Sequence, residues 1–345
     1  MEDIPEVVSV LQRWSIDTIM SRLARSSPDG WDDIVEETGV KHTTLSRNPL
    51  SSTGDLDRLP NETLLRVIEE LAFDLPSLCS LWAVSLRTKE LVESMPMAGD
   101  LFKHASQTLV VLKKTNLTRN LNVEDLYSTL QSENCASCHQ SGAFLFLPTC
   151  ERACLNCLHR ARRFRVMPAD DAQAIYRVPQ KRMKMVPTML PMHVRKASGR
   201  RKKVVSVELV RRIGLLCEDW RGIDSRVLRR DELDAKDREF LWRVELGDAS
   251  IKQKELVAPS SVYYVGPSMR FPHMHPDRTV DAEYWCEGCR FMNKKLNAVS
   301  KPHHELIIDD MGWREWKSWS KRELLKHVAT CRGVQEFLRQ QHFTR

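Results

Sequence analysis

Two closely spaced cysteine pairs constrain this chain more than any other feature. Cys135 and Cys138 form one C-x-x-C pair, Cys154 and Cys157 form another, and fifteen residues lie between them. Four thiolates at this spacing suit one tetrahedral zinc ion (Zn2+), because each pair can bend into a knuckle that offers two sulfurs. A module of roughly thirty residues is too small to fold on its own apolar surface, so the metal is expected to stabilise it. Cys150 is an alternative ligand to Cys154.

The residues around these pairs predict a small α+β module over residues 130–167. The run AFLFL at 143–147 is typical of a strand, and the segment that follows Cys154 is typical of a helix whose first turn holds Cys154 and Cys157. A knuckle, a hairpin and a helix in this order favour a treble-clef or ribbon-like zinc module. The other interpretation is that the cysteines are buried small hydrophobic residues. Redox catalysis is less favoured, because neither pair fits a thioredoxin-like unit.

A second structural zinc site is predicted nearer the C-terminal end. Cys286 and Cys289 form a third C-x-x-C pair, thirty-seven residues before His327-x-x-x-Cys331. A capping box at 320–323 predicts a helix that begins at Lys321 and carries His327 and Cys331 one turn apart. Together these residues make a closed Cys-Cys-His-Cys site. Alternatively, His327 is an ordinary helical histidine and Cys331 a core residue, and the competing ligands are His273, His275, His303 and His304.

Three short amphipathic helical patterns occupy residues 55–93. Leucines recur at helical spacing, and Pro60 stands where the first turn of a helix tolerates a residue without an N–H. Asp74 is placed to cap the second helix, and 86–93 predicts a shorter third helix. Three such helices should share one small core but cannot hide all their apolar surface, so a partner should cover the rest. The side chains expected at that contact are Leu59, Pro60, Leu64, Ile68 and Leu78.

This stretch resembles the F-box. The pattern reads Leu56-x-x-Leu59-Pro60-x-Glu62-x-Leu64-x-x-x-Ile68-x-x-Leu71, followed by Leu75, Leu78, Leu81, Val84-Ser85 and Leu91. The resemblance implies docking on a Skp-type adaptor of a cullin ubiquitin ligase, to which an F-box protein brings a protein substrate. The order of later residues is similar to that of fungal F-box proteins with a cysteine-rich module: Cys135, Cys138, Phe144, Phe146, Pro148, Cys150, Arg152, Cys154 and Cys157. The late C-x-x-C and H-x-x-x-C pairs also resemble the C-terminal region of that family.

Charge is distributed unevenly along the chain. Residues 1–95 carry a net charge of −8, whereas residues 158–203 carry +12. Prolines interrupt the basic run 160–203, which is therefore expected to be a solvated, partly disordered connector. It also matches a nuclear-import signal or a phosphate-binding patch. Its aromatic residues are Phe164 and Tyr176 alone, so sequence-specific readout of nucleic acid is not supported.

The cysteines also bear on the cellular compartment. Ten cysteines occur without a secretory leader or a stretch long enough to span a membrane. Metal ligation is then a commoner use of spaced cysteines than a disulfide framework, because the compartment is reducing. We expect a protein of the nucleus or cytoplasm that does not act at a membrane.

These observations predict a mainly α fold with small α+β zinc modules and five successive regions. The regions are an N-terminal helix (7–23) and linker at 1–50, an F-box at 51–105, a four-cysteine module at 130–167, a basic connector at 168–203 and a helical domain with the second zinc site at 204–345. The predicted function is a non-catalytic substrate receptor. One alternative is a zinc-containing nuclear protein that binds nucleic acid or chromatin through the connector. A metal-dependent hydrolase would need an open site, built from His273, His275, Asp309 and Asp310.

Overall fold

The fold is mainly helical, with a few small sheets, as the sequence predicted. It was derived as a computed structural model, which describes residues 11, 13–28, 52–71, 74–118, 121–176, 178–190, 203–220, 267–299 and 314–343. Among the described helices, none is long and apolar enough to cross a lipid bilayer.

Helices make up most of the described residues before the first cysteine pair. A 3-10 turn at Gly54–Arg58 precedes the three helices predicted for the F-box-like stretch, and all three are present. Pro60 is the N-cap of the first, where its missing N–H costs no helical hydrogen bond. The third begins with a capping box between Ser85 and Thr88. The helices of this half are α1 Ile16–Leu23, α2 Asn61–Glu70, α3 Leu75–Val84, α4 Leu86–Ser94, α5 Pro96–His104, α6 Ser106–Lys114 and α7 Val123–Gln131.

Shorter helices alternate with strands in the rest of the described chain. The helices are α8 Leu155–Arg160, α9 Ala169–Ile175, α10 Gln180–Met183, α11 Val207–Trp220, α12 Glu287–Val299, α13 Lys321–Thr330 and α14 Arg332–Phe343. The strands are β1 Ala24–Arg25, β2 Phe144–Phe146, β3 Glu151–Ala153, β4 Val166–Pro168, β5 Thr188–Met189, β6 Val204–Ser206, β7 Ser268–Arg270, β8 His273–Met274, β9 Val280–Asp281 and β10 Trp285–Cys286.

The strands join parts of the chain that are far apart in sequence. All the described pairings are antiparallel, with strand orders β1-β10, β3-β2-β7, β4-β6-β5 and β8-β9. The hairpin β2-β3 is the one predicted between the cysteine pairs, and β7 adds a third strand to it. The first cysteine module therefore includes residues from beyond the basic connector.

One hydrophobic core contains both the F-box-like helices and the first cysteine module. Leu64, Ile68 and Leu78 lie in the same buried cluster as Phe144 and Trp285. The core that the three helices share is therefore continuous with the rest of this cluster. Helices α5–α7 add side chains to the same cluster, and α7 leads directly into the first knuckle.

The N-terminal helix packs against the C-terminal part of the chain. Leu23 is completely buried in a second cluster with Cys286, Cys289 and Leu324. The strand that follows, β1, pairs with β10 in the register Ala24 to Cys286. An amphipathic helix needs a surface on which to bury its apolar face, and α1 finds that surface more than 250 residues away along the chain.

The basic connector is folded over much of its length, which corrects the expectation of a solvated linker. Strands β4, β5 and β6 form a sheet, and α9 and α10 lie between the first two of these strands in sequence. Val178, Met183 and Val186, which are spaced among the prolines, join Val205 and Val210 in a third buried cluster. The few apolar residues that the connector contributes to this cluster thus suffice for a small core, although charged residues of the connector outnumber them in the sequence. Residues 191–202 lie outside the described residues.

Candidate metal centres

The first knuckle follows directly after α7. The Cys135 N–H donates to the Gln140 carbonyl (2.7 Å), and the His139 N–H donates to the Cys135 carbonyl (3.0 Å). His139 adopts a left-handed backbone conformation with φ of 59°. These bonds bend residues 135–140 so that both cysteine sulfurs of the pair face the hairpin and α8.

The second pair comes from the start of α8, as the sequence predicted. Cys154 is the N-cap, and its sulfur accepts a hydrogen bond from the Cys157 N–H (3.4 Å). The Cys154 sulfur lies 3.6 Å from the sulfur of Cys138. The four sulfurs of Cys135, Cys138, Cys154 and Cys157 all lie within 4.8 Å of one another, so this group is positioned to hold a metal ion.

Cys150 does not belong to this group, which resolves the alternative between Cys150 and Cys154. Its backbone is left-handed (φ 52°) at the end of the turn between β2 and β3. The side chain is buried, and burial raises the pKa of its thiol above the ordinary value. A neutral buried thiol fits a packing role better than ligation.

The second predicted group also comes together. Cys286 ends β10, Cys289 lies in the first turn of α12, His327 lies in the last turn of α13, and Cys331 caps that helix. The Cys331 sulfur is 3.9 Å from that of Cys286 and 3.7 Å from that of Cys289. The His327 Nε2 atom is 3.2 Å from the Cys289 sulfur. These four ligand atoms also lie within 4.8 Å of one another.

Local sequence explains the position of His327. Ser320 and Glu323 form the predicted capping box, and α13 begins at Lys321 as expected. The Trp319 ring stacks on the His327 ring, with centroids 4.4 Å apart and planes inclined by 15°. Trp319 is held in turn by two backbone hydrogen bonds with Tyr284 (2.9 Å each). Stacking on Trp319 thus orients the imidazole plane.

One cysteine in each group has a lowered pKa. Hydrogen bonds from Cys154 and Cys157 lower the pKa of Cys135. In the same way, hydrogen bonds from Cys286 and Cys289 lower the pKa of Cys331. A thiolate is the form of cysteine that binds metal, so both shifts are in the direction that ligation requires.

Arg152 connects the first centre to three separate segments. Its buried guanidinium donates to the carbonyls of Thr129, Gly142, Phe271 and Pro272, at distances of 2.6–3.2 Å. Burial lowers the pKa of this guanidinium to about 10. Four carbonyl acceptors compensate for the desolvation of the charge and fix α7, the first knuckle and the chain after β7 around the metal site.

Two glycines at the second centre were not singled out from the sequence. A Cβ at Gly288 would clash with the backbone of Val334, and one at Gly333 would clash with the Gly288 carbonyl. Each glycine lies within two residues of a ligand, Cys289 or Cys331. The segments that carry these ligands therefore approach too closely for any side chain. Their proximity to the cysteines in sequence was the only available indication.

The competing ligands from the sequence analysis lie elsewhere or outside the described residues. His273 contacts the Gln131 carbonyl through Nε2 (3.2 Å), and His275 Nε2 contacts Asp281 (2.8 Å). Neither histidine belongs to a described metal-binding group. His303, His304, Asp309 and Asp310 lie outside the described residues.

The predicted adaptor-binding side chains divide into buried and accessible ones. Leu64, Ile68 and Leu78 are at most 1% exposed, so they are corrected from contact residues to core residues. Helical spacing identified them as one apolar face, and in the structure they lie in one buried cluster with side chains from other helices of the same chain. Leu59 is half-buried and Pro60 is exposed. The exposed large apolar residues of this stretch are Leu56, Val67, Val84 and Leu86.

Comparison with known proteins gives no relative. No protein-family model matches the chain, and neither a curated protein nor a solved structure shows significant similarity to it. The resemblance of residues 56–91 to the F-box therefore stays a prediction from the sequence.

Proposed function

We propose that this protein is a non-catalytic substrate receptor of a cullin ubiquitin ligase. In this proposal, residues 54–94 are an F-box that docks on a Skp-type adaptor. Zinc ions hold the remainder of the chain in shape, and that remainder binds the substrate. The observation that carries the proposal is the concentration of exposed apolar side chains in the F-box-like stretch.

That concentration is high for so short a segment. Of the six exposed large hydrophobic residues in the described part of the chain, four lie between Leu56 and Leu86. Apolar side chains clustered on a surface favour a protein interface. We define the adaptor patch as three of these four residues, Leu56, Val84 and Leu86, together with the exposed Pro60. This patch replaces the buried set expected from the sequence.

Arg87 supports the adaptor patch by joining its two halves. Its guanidinium donates to the Asn61 side chain (2.8 Å) and to the carbonyls of Asp57 (3.0 Å) and Leu59. These bonds hold Leu86, at the start of α4, beside the turn and N-terminus of α2 that carry Leu56 and Pro60. A patch with a fixed shape loses little conformational entropy when a partner binds.

Zinc is the metal that suits both centres best. With zinc–sulfur bonds of about 2.3 Å, tetrahedral geometry separates the sulfurs by about 3.8 Å. The sulfur–sulfur distances of 3.6, 3.7 and 3.9 Å agree with that value. Thiolate-rich sets with at most one imidazole are typical of structural zinc.

Closed centres favour a receptor over a metal-dependent hydrolase. Each group supplies four protein ligands, which complete a tetrahedral shell and leave no position for a reactive water. The contribution of such a protein to ubiquitin transfer is proximity: it raises the effective concentration of a substrate lysine near the charged conjugating enzyme.

The proposal is tested by adaptor capture with a Leu56→Asp/Leu86→Asp variant. We expect the wild-type chain to co-purify with a Skp-type adaptor and the variant to bind at least about tenfold more weakly, because two apolar contacts become charged. Both side chains are exposed, so zinc content and the circular dichroism spectrum should not change.

Ile16→Asp is the matched control, because Ile16 is also exposed and apolar but lies on α1, outside the adaptor patch. It should bind the adaptor like the wild type. Undiminished capture by the double variant, or no capture by the wild type, would contradict the proposal.

A further inference from the structure

The turn that contains α10 carries cations on a rigid scaffold. The chain continues past Met183 in helical turns, with the Lys184 N–H donating to the Gln180 carbonyl (3.2 Å) and the Val186 N–H to that of Met183 (3.1 Å). Met183 and Val186, three residues apart, face inward and lie in the buried cluster of this module. Lys181, Arg182, Lys184 and Met185 therefore face outward, and all four are exposed. We call these four residues the basic tip.

The basic tip is held from both sides. The Gln173 side chain of α9 donates to that of Gln180 (2.8 Å). After the tip, β5 pairs with β6 through Thr188 and Val205. Cations on a turn that is anchored at both ends can bind without ordering the backbone first.

The cations of the basic tip have no counter-charge within the described residues. None of Lys181, Arg182 and Lys184 forms an ion pair there. Glu208, in the first turn of α11, already pairs with Arg211 (3.2 Å) and Arg212 (2.8 Å). Asp170 and Asp171, in the first turn of α9, pair with none of the three cations. The basic tip is thus free to receive negative charge from another molecule.

Met185 indicates which kind of anionic molecule the basic tip fits. It is 68% exposed, the highest value among the exposed large hydrophobic residues of the described chain. Methionine is an adaptable apolar contact, and here it lies within a cationic surface. Nucleic acid would favour exposed aromatic rings for stacking, but the two aromatic residues of the basic run 160–203 are covered: Phe164 is completely buried and Tyr176 is half-buried. A cationic surface with one apolar side chain therefore suits an acidic peptide better than it suits a nucleic acid.

We propose that the basic tip binds an acidic segment of a partner protein, in which carboxylates flank one apolar side chain. If the proposed function holds, that partner is the substrate. Lys181, Arg182 and Lys184 would pair with the carboxylates, while Met185 contacts the apolar side chain.

The experiment uses the full-length chain and a fluorescein-labelled peptide in which four aspartates and four glutamates flank a central leucine. Fluorescence anisotropy should show binding that weakens as salt rises. Lys181→Glu/Arg182→Glu/Lys184→Glu should reduce the affinity by about tenfold or more, as expected for the loss of three exposed ion pairs. A matched control, Lys103→Glu/Lys113→Glu/Lys321→Glu, makes the same change in net charge at exposed positions elsewhere. It should stay within about twofold of the wild type.

Met185→Ser tests the apolar contact. The substitution should lower the affinity for the leucine peptide by about threefold. The affinity for a peptide with asparagine in place of that leucine should not change. The proposal is overturned if the triple reversal binds like its control, if Met185→Ser weakens both peptides equally, or if single-stranded DNA of the same charge binds the basic tip more tightly than the peptide. No adaptor is present in this assay, so its failure is distinct from failure of the adaptor capture.

Discussion

Replacing Cys157 with serine should unfold the first metal centre and loosen the F-box-like helices with it. A hydroxyl does not replace a thiolate as a zinc ligand, and the three remaining sulfurs would hold the ion weakly. Cys135, Cys154 and Cys157 lie in the same buried cluster as Leu64 and Leu78, so the damage should spread beyond the module. We expect the free energy of unfolding to fall by at least about 3 kcal/mol.

Denaturant unfolding and hydrogen exchange measure the two parts of this prediction. The amides of α2–α4 should lose protection together with those of α8. Cys150→Ala is the matched control, since it removes a buried thiol of the same module that is not in the metal-binding group. A Cys157→Ser protein with the stability of this control would show that the four sulfurs do not hold the fold together.

Replacing Leu23 with aspartate should detach the N-terminal helix and expose the second metal centre. Leu23 is completely buried against the ligand-bearing segments. An unpaired carboxylate there would cost several kcal/mol, about 3–5, so the chain should instead release α1 together with β1. Release of β1 removes its pairing with Cys286 and the ion pair between Arg25 and Glu287 (3.4 Å). A chelator should then extract the second zinc ion faster than the first.

Two measurements test this prediction: limited proteolysis, and the rate of zinc release to a chromogenic chelator. In the Leu23→Asp protein, cleavage near α1 should become faster. Ile16→Asp, at an exposed position of the same helix, should change stability by no more than about 0.5 kcal/mol and leave zinc release unchanged. Equal zinc release from Leu23→Asp and Ile16→Asp would mean that α1 does not support the second centre.

Features that depend on neighbouring residues could be predicted from the sequence. Both ligand groups follow from short spacings, because a C-x-x-C turn and two adjacent helical turns position their own side chains. The start of α13 at Lys321 followed from one capping box. Leucine spacing likewise predicted α2, α3 and α4.

Features that depend on distant residues could not be predicted. Helical spacing shows that Leu64 and Ile68 share an apolar face but not what packs against it. Here they lie in one buried cluster with side chains from other helices and from the first cysteine module. Strand β1 pairs with β10, and β2 pairs with β7. No local pattern in any of these segments identifies the distant strand with which it pairs. In the connector, abundant charge obscured the few apolar residues, including Val178 and Val186, that form a core.

Native mass spectrometry of the purified full-length chain tests the central claim most directly. That claim is that two closed zinc centres hold the receptor in shape. The wild-type protein should carry two zinc ions per chain. Cys157→Ser and His327→Ala should each carry one. A folded wild-type chain that binds fewer than two zinc ions when zinc is in excess would contradict the claim.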